Sequence, residues 1–388
     1  MSQRVDLNFV KELKAYGAIN TEACFNCGNC TAVCPLSTDG ASFPRRMIRM
    51  AQIGLRDDLL SSKELWLCYY CGECTDTCPR GADPGEFMAA ARRYAIASYD
   101  GLGLGKLLQR NTLASIVFHI VLAILLCGFL YTQRGPMSTE TLALFSFIPY
   151  TLIHNLGLAA IVIMALTGLW NMVNMVRHVV KGSGLQRGVR YNWGAALWHT
   201  LFKEILGQKR YRDDCETRPD SPRWYLRSWF IHASTMWGFL GLLAATVLDY
   251  GTELLGIKET GTWVPIWYPI RLLGTVAGLF LVYGTTIAII KRLSRHDRAT
   301  EHSTISDWSF LTLMWLSGIT GFAVELALYL PSAPVWGYWM LLVHVTVAME
   351  MLLLLPFTKF AHVLYRSIAL YIFALKPLPE KEPIQAST

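Results

Sequence analysis

Eight of the ten cysteines stand in two runs near the start of the chain: Cys24, Cys27, Cys30 and Cys34 followed by Pro35, and Cys68, Cys71, Cys74 and Cys78 followed by Pro79. Both runs read C-x2-C-x2-C-x3-C-P, the spacing that holds cubane [4Fe-4S] clusters in proteins that carry two of them. Steps of three wrap three thiolates round one cubane, and the proline after the fourth cysteine turns that thiolate toward the other cluster. One cluster is therefore expected on Cys24, Cys27, Cys30 and Cys78, and the other on Cys68, Cys71, Cys74 and Cys34. Structural zinc also takes four cysteines, but it is usually held by paired C-x2-C knuckles, which these runs do not match. A disulfide framework fits less well still, because residues 1–13 alternate charged and apolar residues without the apolar core of a secretory signal. Cys127 and Cys215 are isolated and read as small buried or neutral residues.

The rest of the chain has to position these runs. Its 388 residues allow two or three domains, and an apolar fraction of 53% with 16% charge is high for a soluble protein. The division is sharp: residues 1–105 are charged and cysteine-rich, residues 106–375 contain stretches close to the roughly 20 apolar residues that span a bilayer, and residues 376–388 form a tail. The net charge of +7 does not point to nucleic acid, since the basic residues collect beside the apolar stretches rather than in one patch.

The head reads as helical. Leu7, Phe9, Val10 and Leu13 recur at helical spacing before Gly17. Pro44 suits a first helical position and Gly54 a terminating one, which predicts a helix over residues 45–53 joining the two runs. Asp83, Pro84 and Glu86 combine an N-cap acid, a first-turn proline and a glutamate three residues after the cap, so a helix should run from there to about Tyr99. A Gly-rich linker at 101–105 follows.

Six spans are expected, over residues 111–131, 147–176, 228–250, 268–290, 307–330 and 337–365. Pro149 and Pro269 fall at span entrances, whereas Pro356 lies inside the sixth and should kink it. Basic residues crowd the loops after spans two, four and six, while the opposite loops hold only Arg134, Lys258 and Arg271. The positive-inside rule then puts both termini and the head in the cytoplasm, with the protein in the cytoplasmic membrane. In the long inner loop, about 181–226, Trp193, Leu197, Leu201 and Ile205 mark an amphipathic helix, either an anchor or a docking surface.

Sorting the nine histidines by depth leaves His154 and His344 in the outer half of the bilayer and His232 and His362 in the inner half. On one continuous helix His344 and His362 would return to the same face about 27 Å apart. Imidazoles in lipid are functional by default, and two haem irons, each between two histidines, would satisfy all four. Hydrogen bonding between helices is the plainer alternative. His119, in mid-span, is the reserve ligand. His178, His199, His296 and His302 fall in basic interfacial or loop sequence and are expected to face water or headgroups. Glu325 and Glu350 are the acids inside spans, either proton carriers for a quinone or acceptors of an interhelical hydrogen bond. No catalytic residue is assigned.

With both halves read, the head resembles the small iron-sulfur subunit of heterodisulfide reductases. Residues from Asn111 to about Ala374 resemble the cytochrome b membrane subunit of that enzyme and of respiratory nitrate reductases. Fused in this order, they are similar to the membrane-bound C-subunit of the quinone-interacting membrane-bound oxidoreductase (Qmo) family. The resemblance implies an all-α fold, a helical two-[4Fe-4S] ferredoxin-like domain followed by a six-helix transmembrane cytochrome b bundle, with two [4Fe-4S] clusters and two haem b. It also implies electron transfer between menaquinone or another quinone and cytoplasmic flavin/iron-sulfur subunits like heterodisulfide reductase A, with adenylylsulfate reductase as an indirect end partner. The nitrate reductase subunits place two haem ligands on each of two helices. Here span three offers His232 with Leu242 where a second is sought, so His154 is brought in from span two. Two rivals remain: a membrane subunit feeding a heterodisulfide-reductase-like complex, and a transporter with a metal-binding head. The chain has no Cys-Cys pair for disulfide catalysis.

Overall fold

The computed structural model describes residues 5–37, 42–138, 140–186, 188–215, 223–259, 261–295, 301–330 and 334–378. His296 and the end of the tail, 379–388, lie outside the described residues, as does the side chain of Cys215. Among the described residues the fold is all helical, with one isolated bridge between Tyr191 and Pro377.

In the head, helix Phe9–Lys14 buries Phe9 and Leu13, and the Phe9 ring packs edge-on against Tyr94 at 5.3 Å. Helix Arg45–Gln52 joins the two cysteine runs, and Pro44 sits at its N-cap, one residue earlier than expected. Helix Pro84–Tyr99 starts as its sequence predicts: Asp83 accepts a hydrogen bond from the Glu86 amide, and Pro84 takes the first position. The Glu86 carboxylate, however, does not return to the cap. It accepts from Arg93 (2.7 Å) and from the Tyr70 hydroxyl, while Arg93 also donates to the Tyr16 carbonyl at 2.6 Å. Buried charge needs such partners, and here that requirement outweighs the cap.

Among the described residues six helices are long and apolar enough to cross a membrane: Thr112–Thr132, Tyr150–Gly182, Ser228–Leu254, Pro269–Ser294, Ile305–Tyr329 and Val335–Leu354, called spans one to six. Pro149 caps span two and Pro269 opens span four. Span two has 33 residues, about 50 Å at 1.5 Å per residue, so it outruns a hydrocarbon layer. Its surplus turns enter the head, where Met175 and Val179 join the same core as Phe9, Trp66 and Tyr99.

The sixth span differs from expectation. Instead of a kinked helix to Tyr365, it ends at Leu354; a 3-10 turn Lys359–Ala361 follows, and a separate terminal helix His362–Ala374 begins. Proline lacks an N–H and its ring clashes with the preceding turn. The carbonyls freed by the break are taken up: Asn171 of span two donates to the Pro356 carbonyl (3.5 Å), and Gln109 to that of Phe357 (3.2 Å). Backbone can break at membrane depth only where other protein groups satisfy it. The terminal helix then docks into the head, its Tyr365 ring 5.0 Å from Trp66 and 5.5 Å from Tyr99.

The linker after the head is tied down rather than slack, because the Asp100 carboxylate accepts from the amides of Leu102 (2.9 Å) and Gly105 (2.7 Å). In the long loop, helix Trp193–Trp198 continues as a π-helical stretch His199–Leu206, with Trp193, Leu197, Trp198, Leu201 and Phe202 exposed. An apolar side left open suits the membrane interface.

Candidate cofactor sites

The two cysteine loops repeat one backbone shape. Asn26 and Tyr70, each before the middle cysteine, have φ of 62° and 59°, and Gly28 and Gly72, each after it, have φ of 99° and 90°. Short helices Asn29–Val33 and Glu73–Asp76 then carry the third cysteine. Left-handed residues beside normal ones turn successive amides inward, a concavity suited to anionic groups such as iron-sulfur clusters. Two amides also reach cysteine sulfurs, Tyr70 N to Cys68 Sγ and Ala82 N to Cys78 Sγ, both at 3.4 Å.

Cys78 joins Cys24, Cys27 and Cys30 around one cavity, together with Arg45 and Arg80. Cys34 lies near Cys68 and Cys71, and Cys74 near Cys68, Cys71 and Cys34, with Cys30 of the first set a weaker neighbour of both. Burial pushes the Cys34 thiol up to about 12 and raises Cys30, Cys68 and Cys74, with the neighbouring sulfurs adding to the rise. Such thiols stay protonated until a metal displaces the proton. Among the described residues, no three Cys, His or acidic side chains close tightly enough to hold one ion. Thiols spread round a cavity suit a polynuclear cluster better than a single zinc. The first cavity faces outward, with Cys27 exposed and Phe25 60% exposed, whereas Cys68 is 9% exposed.

Of the four histidines singled out by depth, the structure brings two together. His232 of span three and His362, first residue of the terminal helix, have ring centres 6.3 Å apart at an interplanar angle of 61°. An iron about 2 Å from each of two imidazole nitrogens, with each ring centre roughly 1 Å further out, requires about 6 Å. Hydrogen bonds on Nδ1 fix both rings. His362 Nδ1–H donates to the Lys359 carbonyl at 2.6 Å, and His232 Nδ1 lies 2.8 Å from Gln208 Nε2 and 3.0 Å from Gln208 Oε1, so the side-chain amide engages Nδ1 and the contacts of both rings are made through Nδ1 rather than Nε2. The pair thus fits one bis-histidine haem. Phe310 stands beside His362 at 6.2 Å, and Leu242, where a second span-three ligand was sought, packs in the apolar cluster with Phe360 and Met314.

His154 and His344 make separate contacts. His154 is stacked between Tyr150 (5.9 Å) and Tyr250 (4.9 Å), while His344 is hydrogen-bonded through Nδ1 to Thr320 Oγ1 (3.0 Å) and packs on Gly321, where a Cβ would stand 3.2 Å from the ring. No ring contact joins them among the described residues. His119, the reserve, binds Glu350 through Nδ1 at 2.7 Å. Glu325 accepts from Arg271 (3.1 Å) and Thr275 (2.8 Å), an interhelical pairing. His178, expected to face water, packs on Tyr99 at 5.7 Å. His302 lies 3.7 Å from Asp83 and is 40% exposed, and His199 is 41% exposed beside Glu204.

Several residues that connect these sites carry no motif. Tyr211 stands 5.8 Å from His232 and stacks on Tyr69 at 5.0 Å and 9°. Arg366, one turn after His362, lies over the Tyr69 ring at 4.3 Å and donates to the carbonyls of Trp66 (2.9 Å), Leu67 (3.2 Å) and Cys68 (3.1 Å). In sequence its charge reads only as an inner-side marker. Its spacing of four from His362 was the one available clue to a shared face.

Comparison with known proteins agrees with this two-part build. Residues 20–82 match the 4Fe-4S dicluster domain, and residues 106–380 match the model of citrate utilization protein B. The C-subunit of the H2:CoB-CoM heterodisulfide, ferredoxin reductase of Methanothermobacter thermautotrophicus is 38% identical over 63 residues, covering 16% of this chain and 34% of that one. A protein of Archaeoglobus profundus described as like the C-subunit of heterodisulfide reductase is 38% identical over 103 residues, 25% of this chain and 55% of that one. Citrate utilization protein B of Escherichia coli is 30% identical over 148 residues, 37% of each chain. The chain thus spans about a third to just over half of these relatives. No solved structure matches. The head is an iron-sulfur domain like the C-subunit of heterodisulfide reductase, which supports an electron-transfer role. Since the match beyond the head covers more than two thirds of the 388 residues, the chain belongs to the citrate utilization protein B family.

Proposed function

We propose that this protein is the membrane electron-transfer subunit of an oxidoreductase complex, linking a quinone in the bilayer to soluble flavin/iron-sulfur partners on the head side, which we take to be the cytoplasm. One observation carries the reading: the inner histidine pair and the second cysteine run are in continuous contact through Tyr211, Tyr69 and Arg366. Bound there, a haem would supply one-electron chemistry, as the clusters would in the head. The chain's own residues set the order. His232 and His362 hold the membrane end, Cys34, Cys68, Cys71 and Cys74 the middle, and Cys24, Cys27, Cys30 and Cys78 the end where Cys27 is exposed and where exposed Phe25 and Arg80 offer a partner surface. Arg366 and Arg92 both donate to the Cys68 carbonyl, placing positive charge beside the middle site. As a finer identity we propose a Qmo-type C-subunit, partnered by subunits like heterodisulfide reductase A and serving adenylylsulfate reductase indirectly. The relatives of the head favour a second reading, delivery of electrons to a heterodisulfide-reductase-like complex.

Anaerobically purified protein should show b-type haem absorption that responds to a quinol, together with paramagnetic [4Fe-4S] signals on reduction. A preparation with neither, at full protein yield, overturns the reading. Electron delivery to purified partners, one flavin subunit type against the other, separates the two identities.

A further inference from the structure

Three side chains fasten the break between span six and the terminal helix to its surroundings. Asn171 of span two and Gln109 take up the carbonyls of Pro356 and Phe357, and both are neutral. The third contact is charged: Lys359 Nζ donates to Oδ1 of Asp307, at the head-side start of span five. The Lys359 carbonyl also accepts from both the backbone N–H and Nδ1–H of His362. Lys359 therefore has its side chain on Asp307 and its carbonyl on a histidine of the proposed haem site. Asp307 is itself held from two further sides. It closes the cap of span five, with Oδ2 accepting from the Thr304 N–H and hydroxyl at 3.0 Å each. Capping needs no burial, yet Asp307 is 7% exposed, and Arg93 of the head stands 3.7 Å from the same oxygen. Arg93 in turn binds Glu86 (2.7 Å), which accepts from the Tyr70 hydroxyl inside the second cysteine run. The carboxylate is thus a fixed point shared by span five, the head and the turn before His362.

We infer that Asp307 is a positioning residue for the haem: its carboxylate, acting through Lys359, holds the turn from which the Lys359 carbonyl fixes the His362 ring. Thr358, extended at φ −102° and ψ −175°, interrupts the helical path just before the turn, so the phase of span six does not dictate where the turn sits. Side-chain anchors must do so, and of the three only Lys359 belongs to the turn itself. Removing one partner of such a pair leaves the other charge uncompensated. Groups that orient a ligating histidine typically contribute about 10- to 100-fold in affinity. This assignment rests on the bis-histidine haem proposed above.

The test uses full-length protein with its haem and clusters in lipid nanodiscs. Haem retention is read as transfer to excess apomyoglobin, and ligand geometry as the electron paramagnetic resonance signal of the oxidised low-spin haem. Lys359→Met keeps the carbonyl but removes the ammonium; it should speed haem loss about tenfold or more and shift the low-spin signal, at unchanged cluster iron. Asp307→Asn should do the same, whereas Lys359→Arg, which keeps the charge, should retain haem as the wild type does. Glu325→Gln, which discharges the interhelical pair with Arg271 on the far side, should leave both readings unchanged. Lys359→Met carries the test if Asp307→Asn does not fold. A wild-type loss rate and signal in Lys359→Met overturns the inference, as does equal damage from Lys359→Arg or from Glu325→Gln. A lower melting temperature with both haem readings unchanged also overturns it, leaving the pair a structural tie. Wild-type protein without a low-spin bis-imidazole haem overturns the haem reading itself.

Discussion

On the head side of the bundle, the rings of His232 and His362 are 6.3 Å apart, with Nδ1 of His232 engaged by the Gln208 side-chain amide and Nδ1 of His362 by the Lys359 carbonyl. On the far side, His154 lies between two tyrosines and His344 is held by Thr320 of span five. Matching depth is common to both sets; a common direction is not. The head-side pair owes its geometry to the break after Leu354. Because His362 starts a new helix, its ring direction is set by the turn Lys359–Ala361 rather than by the phase of span six. His344, inside the unbroken part, points where that phase sends it, toward Thr320.

The sharpest way to break this comparison is to remove one histidine of the head-side pair, which we propose to be haem ligands. His362→Ala, and equally His232→Ala, should abolish the haem bound between them and stop quinol-driven cluster reduction, read from haem per chain and cluster signals. A next, smaller effect is expected from Gln208→Leu, which leaves His232 in place but unoriented; haem affinity should fall about 10- to 100-fold, as for other residues that orient a ligand. Arg366→Gln removes positive charge beside Cys68 without touching any ligand. The midpoint potential of the cluster on Cys68 should fall by on the order of 60 mV, a tenfold change in a one-electron equilibrium, measured by redox titration at unchanged iron content. At the small end, His154→Ala should leave the haem content unchanged, because its ring is engaged by Tyr150 and Tyr250. Equal haem loss from His154→Ala and His344→Ala would instead show that the outer histidines share an iron, and the contrast between the two sides would disappear.

Much of the architecture was legible because its signals are local. Hydropathy marked six membrane-length helices, since the bilayer imposes a minimum length on any apolar stretch that crosses it. Asp83 and Pro84 announced a helix start, because cap chemistry involves only neighbours in sequence. Pro356 announced a disturbance, yet whether a helix kinks or stops depends on what takes up the freed carbonyls. Asn171 and Gln109, which do so, lie far away in the chain. Glu86 fits a capping box by spacing, but the buried charge of Arg93 draws it elsewhere.

Among the candidate site residues the same boundary holds. From sequence alone came the two cysteine runs, the six spans and the depth of each histidine, all properties of spacing along one segment. Which histidines face one another, the route through Tyr211, Tyr69 and Arg366, and the pairing of His119 with Glu350 belong to the tertiary structure. Each depends on the rotation of one helix against another, and the packing of distant segments sets that angle, which no periodicity within a single helix encodes.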